Sequence, residues 1–298
     1  MSEMTMAPDG GSVFLYDDVD GFVRLDARTA EAIAVAPMKG RWPANVFVPF
    51  VIAFTSDGSG AYVQWVEPHH RATVGPYSRK CGVSLWSLEK NTVTDLVVVE
   101  CWYDRGVHVG FPSEFAVAQT GVEWQVLEWP ETMQSYKTGS WILRSHSTRG
   151  SVELGNVVGV DNAAHPELSV GMRKLCVMGD AGKIVEIPID HVRDARRVRS
   201  PSSGVLSRSL AICESRQWLW TDAMNDRFYI RDLRRGQWLA ACEIPRGSYL
   251  LSPSFSKDGS RVLAIRQENP TTIEPNQKTK ELLVWDLRGL TEMAEKSD

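Results

Sequence analysis

Apolar residues along this chain fall into short runs rich in Val, Ile, Leu and aromatics, separated by Asp, Gly, Ser and Pro, without the three-to-four spacing of a helix. The pattern is clearest from Leu251 to Gly289. There Ser254 and Phe255 end one extended run, Lys257-Asp258-Gly259-Ser260 forms a turn, Arg261 to Ile265 is a second run, and Leu282 to Trp285 is a third, closed by Asp286. Gly has no Cβ to clash, so Asp-Gly supplies the positive φ that a tight hairpin needs. The stretch therefore predicts strand, Asp-Gly turn, strand, loop, strand.

The same grammar recurs upstream. A first unit has the turn Pro8-Asp9-Gly10-Gly11, strands over Ser12–Tyr16 and Phe22–Asp26, and a further run at Glu31–Ala36, with Asp26 in the place of Asp286. A second unit, Val51 to about Val99, carries Ser56-Asp57-Gly58 and replaces the closing Asp by Ser87. A sixth unit has four runs, Ser209–Cys213, Gln217–Thr221, Phe228–Asp232 and Trp238–Cys242. Between these, Phe115–Ala118 with Trp124–Trp129 is read as a third unit, Ser140–Ser145 with Ser151–Val160 as a fourth, and Leu175–Met178 with Lys183–Ile189 as a fifth.

Four short strands per repeat, an early Asp-Gly turn and a third strand ending in Asp are the layout of a propeller blade. The segment ending in Trp285-Asp286 resembles a WD40-type repeat, although the Gly-His pair common early in such repeats is missing throughout. The resemblance implies an all-β fold: a single WD40-like β-propeller domain over residues 1–298, built of four-stranded antiparallel blades. Seven blades is the favoured count, because WD40 repeats run to about 40–45 residues; six, with one oversized unit around 100–160, is the alternative. A β-sandwich would also space its strands evenly, but it would not repeat the Asp-Gly turn and the closing Asp. Terminal units of similar register suggest a ring closed by pairing those two units.

With 298 residues, 43% hydrophobic and 23% charged, the chain can bury a large core. A net charge of -4 gives no electrostatic reason to expect nucleic acid or membrane surfaces as partners. The N-terminus lacks a basic start and an apolar core, and no run approaches the ~20 residues of a membrane span, so neither a signal peptide nor a transmembrane segment is expected. The 5 cysteines are scattered with no Cys-x-x-Cys, which suits a reducing, cytoplasmic setting without zinc or a disulfide framework. Cys176 and Cys213 lie in apolar runs and are expected to behave as small hydrophobes.

Motifs for chemistry are sparse. Gly179-Asp180-Ala181-Gly182-Lys183 lacks the spacing of a phosphate loop and precedes a β-rich run, so it reads as a hairpin turn. Asp17-Asp18-Val19-Asp20-Gly21 has Arg28 where a calcium loop needs its last Glu, and it also reads as a turn. No nucleophile elbow or zinc helix occurs, and no cofactor or metal is called for.

Three stretches stand out as contact candidates for a protein or peptide partner. His69 and His70 lie in a long polar connection, 67–80, that also bears Arg71, Tyr77, Arg79 and Lys80. Trp102, Tyr103 and Arg105, residue types enriched at binding hot spots, are read as a connection between units. The run Asp190–Arg199 holds Arg193, Arg196, Arg197 and Arg199, whose guanidinium forks match carboxylates or phosphates. Each has a plainer reading: a solvated loop, blade-to-blade packing, and a connecting segment whose Arg stems lie on the rim. Two function classes remain open. One is a non-catalytic interaction scaffold using its face loops, working alone or in a larger complex. The other is a propeller enzyme or small-molecule binder of the hydrolase or lactonase kind, with a polar or metal site at the channel mouth.

Overall fold

A computed structural model describes residues 4–7, 10–17, 21–29, 31–35, 50–55, 57–66, 77–103, 113–120, 123–130, 140–158, 164–178, 183–199, 210–223, 227–244, 248–268 and 280–290. Among these the chain forms six antiparallel sheets, each a meander in sequence order. The first sheet holds β1 (Met4–Met6), β2 (Ser12–Asp17), β3 (Gly21–Asp26) and β4 (Ala32–Val35). The second holds β5 (Phe50–Phe54), β6 (Gly60–Val66), β7 (Tyr77–Ser87) and β8 (Thr92–Tyr103). The third holds β9 (Ser113–Thr120), β10 (Glu123–Pro130), β11 (Ser140–Ser147) and β12 (Gly150–Val158). The fourth holds β13 (Ala164–Ser169), β14 (Lys174–Met178), β15 (Lys183–Pro188) and β16 (Arg196–Arg199). The fifth holds β17 (Leu210–Cys213), β18 (Trp218–Ala223), β19 (Arg227–Asp232) and β20 (Gln237–Glu243). The sixth has three strands, β21 (Ser248–Phe255), β22 (Arg261–Glu268) and β23 (Lys280–Asp286). Four-stranded meanders repeated in this way are the blades of an all-β β-propeller. No helix among the described residues is long and apolar enough to cross a membrane.

Among the described residues the blades number six, the alternative with one enlarged unit around 100–160, and not the favoured seven. The runs read as a third and a fourth unit are one sheet, because β10 pairs with β11 from Gln125↔Ser147 to Glu128↔Arg144. The reason is energetic: a lone two-stranded hairpin is at best marginally stable in water, and each of those units has only two strands. The long polar stretch between Trp129 and Ser140 belongs inside a blade, although it resembles a boundary. The first sheet takes all its strands from residues 4–35 and the sixth all of its own from 248–286.

By backbone contacts the chain divides into two compact units, residues 1–7 with 11–161, and residues 8–10 with 162–298. In each, the first strands of successive sheets adjoin: β1 against β5 and β5 against β9 in one, β13 against β17 and β17 against β21 in the other. Core residues fill the space between neighbouring sheets. Phe14 meets Val51, Val63 and Trp86 between the first and second sheets, and Tyr62, Cys81 and Val83 meet Phe115 and Val126 between the second and third. In the other unit, Cys176 and Ile184 meet Leu219 and Leu233, and Trp220 and Phe228 meet Leu250 and Val262. Cys176 and Cys213 are buried, and burial pushes both thiols up, as expected for inert packing groups.

The recurring closing Asp has a mechanical role. Asp26 Oδ1 accepts the backbone N–H groups of Arg28 and Thr29, Asp232 Oδ1 those of Arg234 and Arg235, and Asp286 Oδ1 that of Arg288. Each carboxylate thus builds the turn that leaves the third strand, an Asx-turn. The next residue's N–H donates to the carbonyl just before the second strand: Ala27 to Gly11, Leu88 to Ser59, Leu233 to Gln217 and Leu287 to Ser260. Leu233 and Leu287 are 1% exposed and enter the core shared with the preceding sheet. Sequence and packing meet at that one position.

Candidate functional site

The outer hairpin of the second sheet brings two of the three candidate stretches together. β7 and β8 pair from Ser87↔Thr92 out to Tyr77↔Tyr103, whereas the β6 ladder with β7 stops at Val66↔Cys81. Tyr77–Lys80 and Glu100–Tyr103 therefore run on past the end of β6 as a two-stranded extension. The connection carrying His69 and His70 leaves β6 at this same end, and Arg105 follows β8 there. His69, His70 and Arg105 lie outside the described residues. Trp102 and Tyr103 belong to β8, not to a connection between sheets, and their side chains are likewise outside what is described.

The base of this extension is locked. Trp65 Nε1 donates to Ser84 Oγ at 2.8 Å, and Ser84 Oγ donates to Asp95 Oδ1 at 2.6 Å, a relay that crosses β6, β7 and β8. At Gly82 a Cβ would stand 2.1 Å from the Val97 carbonyl oxygen, so only glycine allows the two long strands to come so close beside the bulge at Val83/Ser84. Beyond that pinch, Lys80 and Glu100 are exposed and sit directly opposite each other. Sequence reading placed residues 67–80 in one loop; the structure makes Tyr77–Lys80 strand, because they pair with Glu100–Tyr103.

The arginine run sits differently. Ile189–Asp194 is a 3-10 turn, and Arg196–Arg199 is β16, the edge strand of the fourth sheet. Strand alternation divides it. Arg196 shares a face with Val198, which packs into the core against the fifth sheet, while Arg197 points the other way and is exposed. Arg193 is exposed on the 3-10 turn, and the Arg199 side chain lies outside the described residues.

Arg196 is held by Glu186, which is 1% exposed. Glu186 Oε2 accepts from Arg196 at 2.8 Å and from Lys174 Nζ at 3.1 Å, and its Oε1 accepts from Arg231 Nε of the fifth sheet at 3.0 Å. Burial alone would raise the Glu186 pKa, but the three cations outweigh it and hold the carboxyl below the usual glutamate range. Arg231 also donates to the Gly236 carbonyl at 2.5 Å and lies 5.4 Å from the Trp238 ring centre. This cluster ties two blades together. The described arginines of the run, Arg193, Arg196 and Arg197, are all exposed, but of these Arg196 is tied to the buried Glu186.

Sequence reading missed one array. Glu128 Oε2 lies 2.7 Å from His146 Nε2, and His146 Nδ1 lies 2.6 Å from Ser151 Oγ. Glu128 and His146 are buried, Ser151 is exposed, and the three sit on β10, β11 and β12. The order acid, imidazole, hydroxyl is that of a relay able to move a proton. Ser151, however, lies directly across the β11–β12 ladder from His146 and not on a sharp elbow. Its evident work is to satisfy a buried histidine and fix the register of three strands. Nothing in the sequence signals it, since separations of 18 and 5 residues mean little until the sheet aligns them.

No family model matches the chain, and no curated protein does. Among solved structures, the crystal structure of a nidogen/laminin complex aligns at a TM-score of 0.51 with 9% identity, covering 82% of this chain and 80% of that one. At that identity the likeness speaks to fold alone. It agrees with the sheet order: the protein is a β-propeller.

Proposed function

We propose that this propeller is a non-catalytic interaction scaffold, a divergent relative of WD40-type repeats, that acts as one domain in the cytoplasm and holds a protein or peptide partner. The observation that carries the reading is the second-sheet extension. Connection 67–76 with His69 and His70 and the end of β8 with Trp102, Tyr103 and Arg105 leave one end of one sheet whose base is locked by Gly82 and the Trp65–Ser84–Asp95 relay. A rigid scaffold presenting long connections is how a propeller recognises partners, and aromatic and arginine side chains are the usual anchors. One similar solved structure is that of a nidogen/laminin complex, which is in keeping with a propeller acting as an interaction module. Arg193 and Arg197 offer a second, cationic contact surface.

The test is affinity capture of the tagged chain from its own cell lysate, read by cross-linking mass spectrometry. Variants Trp102→Ala with Arg105→Glu, and separately Arg193→Glu with Arg197→Glu, are compared with the parent chain. Arg196 is spared because it holds Glu186. The reading expects capture to fall at least tenfold in the first pair while thermal stability stays unchanged. Undiminished capture by the folded first pair would remove the second sheet from the interface.

A further inference from the structure

We propose that the sixth sheet is a contact between two copies of this chain, paired antiparallel along β23 about a two-fold axis at Leu283. Five sheets have four strands and the sixth has three, so β23, third in its meander, is an open edge among the described residues. The backbone ladder of β23 runs to β22, from Arg261↔Asp286 to Gln267↔Lys280. On the equivalent strand of the fifth sheet, β19, every residue from Phe228 to Asp232 is buried. On β23, Leu282 is 48% and Val284 58% exposed, while Leu283 and Trp285 face the core shared with the fifth sheet. An open edge with apolar side chains at its centre is what natural sheets normally pair, cover or interrupt with charge.

The occupant is argued from the strand itself. The chain's own following segment, 291–298 (TEMAEKSD), is mostly Glu, Lys, Asp and Ala, residue types depleted from strands. β23 is instead self-complementary. Paired antiparallel and centred on Leu283, it sets Leu282 opposite Val284 of the second copy and Lys280 opposite Asp286, whose carboxylate also accepts from Arg288, each twice by symmetry. Like parity keeps these residues on one face, so the exposed leucine and valine of both copies form a single apolar strip flanked by opposite charges. A register shifted by two residues loses the Lys–Asp match, placing Leu282 opposite Asp286 or Lys280 opposite Val284. The contact is small, so association is expected to be weak and concentration-dependent.

The test is sedimentation of the purified full chain over a wide concentration range, compared with Leu282→Lys/Val284→Lys. The proposal expects a monomer–dimer equilibrium in the parent chain and at least tenfold weaker association in the variant, with unchanged near-ultraviolet circular dichroism. A parent chain that stays monomeric throughout, or a dimer that survives in the variant, would overturn it. A second measurement reads the register without disturbing the fold. Leu282→Cys and Val284→Cys chains are oxidised separately and mixed. Cross-links are expected mainly in the mixture, because residue 282 faces residue 284 of the other copy. Equal cross-linking in all three samples would overturn the pairing.

Discussion

The Thr55–Gly60 turn of the second sheet and the Ser256–Arg261 turn of the sixth are internally the same. In one, Asp57 Oδ1 accepts from Thr55 Oγ1 at 2.7 Å and from Ser59 N at 3.0 Å; in the other, Asp258 Oδ1 accepts from Ser256 Oγ at 2.7 Å and from Ser260 N at 3.0 Å. Gly58 has φ +73° and Gly259 φ +69°. Their surroundings differ. A Cβ on Gly58 would meet nothing within 4 Å, whereas one on Gly259 would stand 2.5 Å from Arg216 Cγ and 2.6 Å from Cys213 Sγ. Arg216 of the fifth sheet also donates to the Asp258 carbonyl at 3.2 Å. Among the described residues, one turn is open at its glycine and its twin is a docking point between blades. A local motif thus specifies a conformation, and the neighbour decides how much the motif matters.

Matched substitutions in the two turns can break or sharpen that comparison. The largest effect is expected at the leucines whose N–H groups close them. Leu287→Ala, in the core and 1% exposed, should cost about 2–5 kcal/mol in chemical denaturation. Leu88→Ala, at a half-buried site, should cost only about 1–2 kcal/mol. Equal losses would mean that the preceding sheet does not set the burial of this position.

A smaller but cleaner contrast is expected at the glycines. Gly58→Ala carries only the left-handed backbone penalty of about 1 kcal/mol. Gly259→Ala adds overpacking against Cys213 and Arg216, a further ~1–3 kcal/mol. Combining Gly259→Ala with Cys213→Ala should recover part of that excess, and a double-mutant cycle without coupling would argue against the contact.

The smallest difference is expected at the aspartates. The Thr55 hydroxyl and the Ser59 N–H hold Asp57 at about 2, and the Ser260 N–H with the Ser256 hydroxyl holds Asp258 at about 2. A carboxylate whose folded pKa is depressed adds stability above its unfolded pKa and loses it as pH falls through the folded value. Each turn should therefore weaken as pH drops from the ordinary aspartate range toward 2. Asp57→Asn and Asp258→Asn should flatten that fall by similar amounts in acid titrations followed by circular dichroism. A marked inequality would show that blade docking reaches even the carboxylate.

Much of this fold is legible in the chain because its turns are local. Asp-Gly pairs, the closing Asp and the alternating runs act over a few residues, so β2, β3, β6, β22 and the four strands of the fifth sheet can be read directly. What misled was length: the polar stretch between Trp129 and Ser140 resembles a boundary, and only the β10–β11 ladder shows that it lies inside a blade. Candidate contacts were legible as residue types but not as places. Trp102 and His69 are 33 positions apart in the sequence, and the β6–β7–β8 meander brings the end of β8 that carries Trp102 to the same end of the sheet as Val66, the last residue of β6. Arg196 and Arg197 are neighbours in sequence and both exposed, yet strand alternation brings only Arg196 to the face where Glu186 accepts from it.

By itself the sequence determined the class of fold, the turn chemistry and the inert character of the buried thiols, since each follows from covalent geometry and local patterning. Tertiary structure alone decided the six-blade count, the Lys174–Glu186–Arg196–Arg231 and Glu128–His146–Ser151 networks, the tight contact at Gly259, and the open edge at β23. These depend on which strands become neighbours, and that is settled by burying apolar faces between sheets whose residues lie far apart in the chain.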